Sequence, residues 1–352
     1  IFDSAFHHYQ NGNLNQAEIL FTKVLKSIPK HFPSIFLLGT ISAQDKKFQT
    51  AIKLLKQAIA INPNYAEAHN NLGNVFQALG KYQEAIFCYQ KVIQINSDYV
   101  KAHFNLGIVF NKINKHQEAI KCFQQVIQKE PNNLSSHWLS MNTFPVIYKN
   151  FEEIGVYRKS FEENMSKINQ LLDANINYSK EQVIEALEST TNFHLHYQGK
   201  NVLRLQKKYA QLVERLTKHI YPQFHKNRKK NKASKYIKIG FVSAFFRNHS
   251  VSKSRKNWIL KLDQKKFKIY IYYPENRFDQ ITDLIKNHVD HFINNTNIDQ
   301  LIHQISEDSL DVLFYLDIGM NPMMQILGSL RLAPVQCNTW GHPVTSGLKN
   351  ID

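Results

Sequence analysis

Three short segments carry side chains able to move a proton or hydrogen-bond a polar ligand. The first is Arg247-Asn248-His249-Ser250, the second Asp317-Ile318-Gly319, and the third Gly341-His342-Pro343-Val344-Thr345-Ser346-Gly347. Near neutral pH an imidazole such as His249 can accept a proton or hydrogen-bond a sugar or phosphate oxygen. Gly341 and Gly347, around Pro343, permit close backbone approach, and Thr345 and Ser346 offer hydroxyl donors. The plain alternatives are a strand-end histidine and a structural turn. Neither a Walker loop nor a GxGxxG fingerprint occurs, which argues against an NTPase or a dehydrogenase. His194 and His196 stand two apart, as on an extended strand, but no carboxylate or third histidine completes a metal site, so none is expected. Cys88, Cys122 and Cys337 are odd in number and lack metal-ligand spacing, which fits a reducing cytoplasm.

The elements that must position these segments begin at Lys235, where apolar patterning switches to alternating strand and helix. Strands are expected at Tyr236–Ala244, Phe267–Tyr273, Val289–Asn294, Asp311–Asp317 and Pro334–Trp340. Helices are expected near Lys253–Leu262, Phe278–Asn287, Asp299–Ser306 and Pro322–Leu330. Such alternation predicts a Rossmann-like parallel sheet covered by helices, an α/β domain over 233–352. Ligand chemistry in that fold belongs at the carboxyl ends of the strands, where all three segments fall.

Upstream, Ala17, Ala51, Ala85 and Ala119 recur every 34 residues. Pro29, Pro63 and Pro131 keep that register, with Ser97 in the third slot. Gly39, Gly73 and Gly107 each follow a leucine, and Phe21, Leu55, Tyr89 and Phe123 fill a shared large position. Small residues let two helices cross closely, and proline ends the second helix of each pair. This pattern resembles the tetratricopeptide repeat (TPR), so an α-solenoid of about four units, the first truncated, is expected over 1–133. Cys88 and Cys122 occupy equivalent positions and are expected to pack as small apolar residues. Asn71 and Asn105 recur one repeat apart and could hydrogen-bond an extended acceptor peptide on the concave face. Between the two regions, 134–232 is expected to be a helical connector with a basic linker, its strongest helix at Asn201–Ile220.

The formal net charge of +16 invites a nucleic-acid reading. Much of the charge crowds Lys226–Lys238, where only Tyr236 could stack a base. A solvated linker is the better reading, and nucleic acid is not an expected partner. No apolar run approaches the roughly 20 residues a membrane span needs. Ile1–Gln10 carries no secretory signal, and the sequence looks cut at both ends.

The motifs KIGFVSAFFRNHS, DVLFYLDIG and RLAPVQCNTWGHPVTSGLKNID resemble the catalytic region of the O-GlcNAc transferase family, above all its bacterial and SPINDLY-like members. The resemblance runs from about Asn192 to Asp352 and agrees with the repeats. It implies the N-terminal lobe of a GT-B glycosyltransferase that moves N-acetylglucosamine from UDP-GlcNAc to Ser or Thr hydroxyls, without metal or further cofactor. His249 matches the family's active-site histidine. Gly341, Pro343, Thr345, Ser346, Gly347 and Asp317 would face the donor, and Asn71 and Asn105 the acceptor protein. Relatives usually carry Asp-Phe-Gly before the Asn-His pair and often Pro after it, where this chain has Phe245-Phe246-Arg247 and Ser250. The family's second lobe, with its phosphate-binding lysine, lies beyond Asp352, so this stretch alone is expected to be inactive. The rival expectation is a non-catalytic TPR adaptor with a degenerate transferase domain.

Overall fold

The structure is a computed structural model describing residues 1–174, 176–228, 235–339 and 345–352. The chain forms two compact units, Ile1–Ser136 and His137–Asp352.

The first unit is a run of antiparallel helix pairs: α1 (Phe2–Gln10), α2 (Leu14–Ser27), α3 (Phe32–Gln44), α4 (Phe48–Ile61), α5 (Ala66–Ala78), α6 (Tyr82–Ile95), α7 (Val100–Lys112) and α8 (His116–Lys129). The 34-residue period has direct packing causes. A Cβ on Gly73 would lie 2.7 Å from the Tyr89 ring, and one on Gly107 2.7 Å from the Phe123 ring, so only glycine lets those rings seat. Ala17, Ala51, Ala85 and Ala119 are fully buried, and Cys88 and Cys122 pack in the core. Tyr89, buried where other repeats carry Phe or Leu, donates its hydroxyl to Asn74 Oδ1 (2.8 Å) or Gln77 Oε1 (2.9 Å). A second periodic feature lies in the turns. Gly12, Lys46, Gly80 and Asn114, each 34 apart, all adopt left-handed φ between 59° and 75° to join the helices of a pair. In the proline slot, His69 meets the Pro63 carbonyl and His103 the Ser97 carbonyl, both at 2.9 Å, so serine keeps the same contact.

The boundary between the units falls within α9 (Leu134–Asn142), after which come α10 (Phe151–Asp173) and α11 (Lys180–Ser189), then a 3₁₀ turn (Phe193–Tyr197), α12 (Leu203–Ile220) and a second 3₁₀ turn (Pro222–His225). The sheet domain follows as β1 (Ile237–Val242), α13 (Ser250–Leu260), β2 (Phe267–Tyr273), α14 (Gln280–Lys286), β3 (His291–Asn294), α15 (Ile298–Glu307), β4 (Val312–Tyr315), α16 (Pro322–Ser329) and β5 (Val335–Asn338). All five strands are parallel in the order β3-β2-β1-β4-β5. Ile239, Phe241, Ile269 and Ile271 bury against Val251 and Ile259 of α13.

Two local expectations are corrected. Residues 193–197 form a 3₁₀ turn rather than an extended strand. Asn192, Leu195 and Gln198, three apart, are the buried positions, and that spacing places them on one side of a 3₁₀ helix. The basic stretch is not wholly a solvated linker either. Half-buried Arg228 donates to the carbonyls of Arg331 (3.1 Å) and Ser306 (3.0 Å), and Lys238 Nζ reaches the Asp308 carbonyl at 2.9 Å.

The helices of residues 137–228 share a core with the sheet. Tyr209 of α12 stacks on Trp138 at 5.3 Å and lies 5.7 Å from Phe161. Thr217 and Ser329 are joined by a buried hydroxyl bond of 2.9 Å, and Arg331 N donates to the Phe224 carbonyl at 2.7 Å.

Candidate active site at the carboxyl edge of the sheet

The strand order reverses between β1 and β4, the place where a doubly wound sheet opens a crevice beyond its carboxyl ends. The segment after β1 carries His249, and the segment after β4 carries Asp317. A hydrogen bond ties them across the switch, Ala244 N donating to Asp317 Oδ2 at 3.2 Å.

His249 is the N-cap residue of α13, its ring Nδ1 accepting from Val251 N at 3.3 Å. The ring stacks on Phe245 with centroids 4.1 Å apart, and the Arg247 guanidinium lies 5.4 Å from the Phe245 ring centroid. Partial burial first, and the Arg247 charge second, pull the imidazole below its ordinary pKa, so it is neutral at pH 7. With Nδ1 occupied as an acceptor, the proton of the neutral ring sits on Nε2, which makes that nitrogen a donor. The loop around it is firmly tied. Ser252 Oγ donates to the Phe245 carbonyl at 2.5 Å, Thr282 Oγ1 to the Phe246 carbonyl at 2.6 Å, and Asn248 N to Asp279 Oδ2 at 2.5 Å. Asp279 also caps α14, and these contacts hold its carboxyl below the ordinary aspartate range.

Asp317 is fully buried. Desolvation lifts its carboxyl to about 7, opposed by the Ala244 N–H and the Ser243 hydroxyl; Oδ1 is buried without a hydrogen-bond partner among the described residues. Gly319 adopts φ 89° in the turn after β4 and accepts from Thr191 Oγ1 at 3.1 Å.

Of the third segment, Gly341 and Pro343 lie outside the described residues. Thr345, Ser346 and Gly347 form a tight turn in which Gly347 N donates to Thr345 Oγ1 (3.2 Å) and Leu348 N to Ser346 Oγ (3.3 Å). Thr345 and Ser346 line a crevice of about 10 Å³, room for one water, together with Gln206, Tyr209, Gly319 and Gln325. The structure thus gathers Gly319, Thr345 and Ser346 at one point and ties Asp317 to the His249 loop. His249 does not line that crevice. It caps α13 beyond the end of β1, and β4 lies between β1 and β5 in the sheet.

Asn71 and Asn105 lie half-buried between successive first helices of the repeats. Asn71 Nδ2 donates to Thr40 Oγ1 (3.0 Å) and Asn105 Nδ2 to Asn74 Oδ1 (3.0 Å), so each amide already bridges neighbouring helices. Among the described residues no group of three His, Cys, Asp or Glu side chains is placed to hold a metal, and no helix is long and apolar enough to cross a membrane.

Two residues of this site escape the sequence reading. Asp279 is announced only by its capping-box partner Thr282, three positions on. Gln206 is a polar residue on the apolar stripe of α12, beside Leu205 and Tyr209, and that misplaced polarity was its signal.

Comparison with known proteins bears on the fold and the family. The tetratricopeptide repeat pattern matches residues 66–99 and 100–133, and a related TPR pattern matches 39–80. Over 80 residues, 23% of this chain and 7% of the relative, the sequence is 32% identical to the UDP-N-acetylglucosamine–peptide N-acetylglucosaminyltransferase of Caenorhabditis elegans. A mutant O-GlcNAc transferase from Thermobaculum terrenum superposes with a TM-score of 0.55 at 16% identity, covering 91% of this chain and 52% of that one. The chain therefore spans about half the length of that bacterial transferase, and the likeness shows the fold alone: TPR helices followed by a parallel-sheet domain, as in the N-terminal lobe of the GT-B fold. The pattern of glycosyl transferase family 41 matches residues 159–352, more than half of the chain, and the chain belongs to that family.

Proposed function

We propose that the protein transfers N-acetylglucosamine from UDP-GlcNAc to Ser or Thr hydroxyls of proteins held by its TPR helices. One observation carries this reading: the family match coincides with a sheet whose switch point joins Asp317 to the His249 loop. In this reading His249 acts through Nε2–H as a hydrogen-bond donor to an oxygen of the donor sugar or its diphosphate. Charge developing on the leaving diphosphate is stabilised by such pre-oriented donors. The Thr345 and Ser346 hydroxyls supply further donors after β5. Asn71 and Asn105 would engage the acceptor backbone, exchanging their inter-helix bonds for bonds to the peptide.

A second reading, a protein-binding adaptor without catalysis, is favoured by the use of His249 as a helix cap stacked on Phe245. Transfer of labelled sugar by the complete gene product separates the two. Loss of one donor hydrogen bond in His249→Ala should lower kcat by about 10²-fold. Undiminished transfer by that variant would remove His249 from the chemistry, and absent transfer by the unmodified protein would favour the adaptor.

A further inference from the structure

The helical connector grips both loops that close the β4–β5 side of the site. Thr191 Oγ1 donates to the Gly319 carbonyl at 3.1 Å, and Glu214 Oε1 accepts from Lys349 N at 2.7 Å. Between these two contacts sits Gln206, whose side chain is buried at 6% exposure. Its Nε2 donates to the Ser346 carbonyl at 2.9 Å, and its Oε1 accepts from Nδ2 of the fully buried Asn192 at 2.7 Å. A fork satisfied at both ends has one orientation, so Asn192 fixes the direction in which Gln206 donates. The backbone joins in. Gly347 adopts φ 70°, and a Cβ there would lie 2.9 Å from the Gln206 carbonyl oxygen, so the turn is pressed against α12.

We propose that Gln206 is a positioning residue, which holds the Thr345–Gly347 turn in the orientation that presents its hydroxyls and backbone N–H groups to the sugar donor. It touches no reacting atom and acts through Ser346. The inference rests on the transferase reading for the identity of the ligand, but not for the clamp itself. A polar fork on an otherwise apolar helix stripe costs desolvation, and a methionine of similar shape would pack there without it.

The test uses Gln206→Met, which keeps the volume and removes both amide bonds. Amide hydrogen exchange in the chain should accelerate about tenfold at residues 347–349, the loss expected for one buried hydrogen bond, while exchange in β1 and β2 stays unchanged. In the complete gene product, KM for UDP-GlcNAc should rise about tenfold with kcat within about twofold, because positioning of the ground-state ligand is what changes. Should Gln206→Met fail to fold, Gly347→Ala attacks the same contact from the loop side and should give the same local acceleration. Unchanged exchange at 347–349 in the folded variant, or equal acceleration throughout the unit, would overturn the proposal. Local acceleration in a protein whose unmodified form has no affinity for UDP-GlcNAc would uphold the clamp and remove the transferase reading.

Discussion

Asp317 and His249 are titratable groups whose environments push them toward neutrality from opposite directions. Burial raises the Asp317 carboxyl from 3.8 to about 7. Because the folded chain then binds a proton more readily than the unfolded one, stability falls as pH rises through that window and levels off above it. A displacement of that size corresponds to roughly 4 kcal/mol at alkaline pH, an upper bound because relaxation reduces it. Asp317→Asn keeps an acceptor for Ala244 N and cannot ionise. Its unfolding midpoint should therefore lie close to the parent's near pH 4 and well above it at pH 8, as read by urea denaturation across that range. Equal midpoints at both pH values would show that the carboxyl is solvated. For His249 the displacement is downward, so the ring stays neutral at physiological pH and keeps Nδ1 free to cap α13.

Within the helix pairs, the left-handed turn residue explains a sequence feature that alanine and proline spacing does not. Gly12 and Gly80 adopt that conformation at no steric cost, Asn114 tolerates it, and Lys46 is strained there. Lys46 is exposed and has no role in the core. Lys46→Gly should stabilise the TPR unit by about 0.5–1 kcal/mol, the relief of left-handed strain less the added freedom of the unfolded chain. A urea-unfolding series on residues 1–136 measures it, and a destabilised variant would contradict the turn geometry. In the sheet unit, capping does comparable service. Asn297 and Asn321 accept from Gln300 N and Met323 N, which starts α15 and α16 beside the site loops.

At the scale of the whole molecule, the connector is part of the sheet domain's core. Tyr209, Leu212, Val213 and Leu216 of α12 are almost fully buried, and α11 and α12 both pack on α16. A chain of residues 235–352 alone should therefore expose that apolar face and behave as a loosely packed state, with dye binding and no sharp melting transition. Residues 137–352 should melt cooperatively. Cooperative melting of the shorter piece would show that the connector is dispensable to the fold.

The sequence by itself determined the repeats, the parallel α/β character and the family. Each rests on local patterning: helix-crossing glycines at a 34-residue period, the alternation of buried strands with helices, and a long contiguous motif ending at Asp352. Strand limits came out within about three residues because apolar and β-branched residues cluster in each strand and polar segments flank them. Tertiary structure alone decided which loops meet. The order β3-β2-β1-β4-β5 places the ends of β1 and β4 side by side, and nothing in the spacing of Ala244 and Asp317 says that they bond. It also decided that Gln206 serves the Ser346 turn 140 residues away, that 193–197 coils rather than extends, and that Arg228 joins the end of α15 to Arg331. These outcomes depend on contacts between segments far apart in the chain, where a side chain's partner is fixed by burial and geometry rather than by its neighbours in sequence.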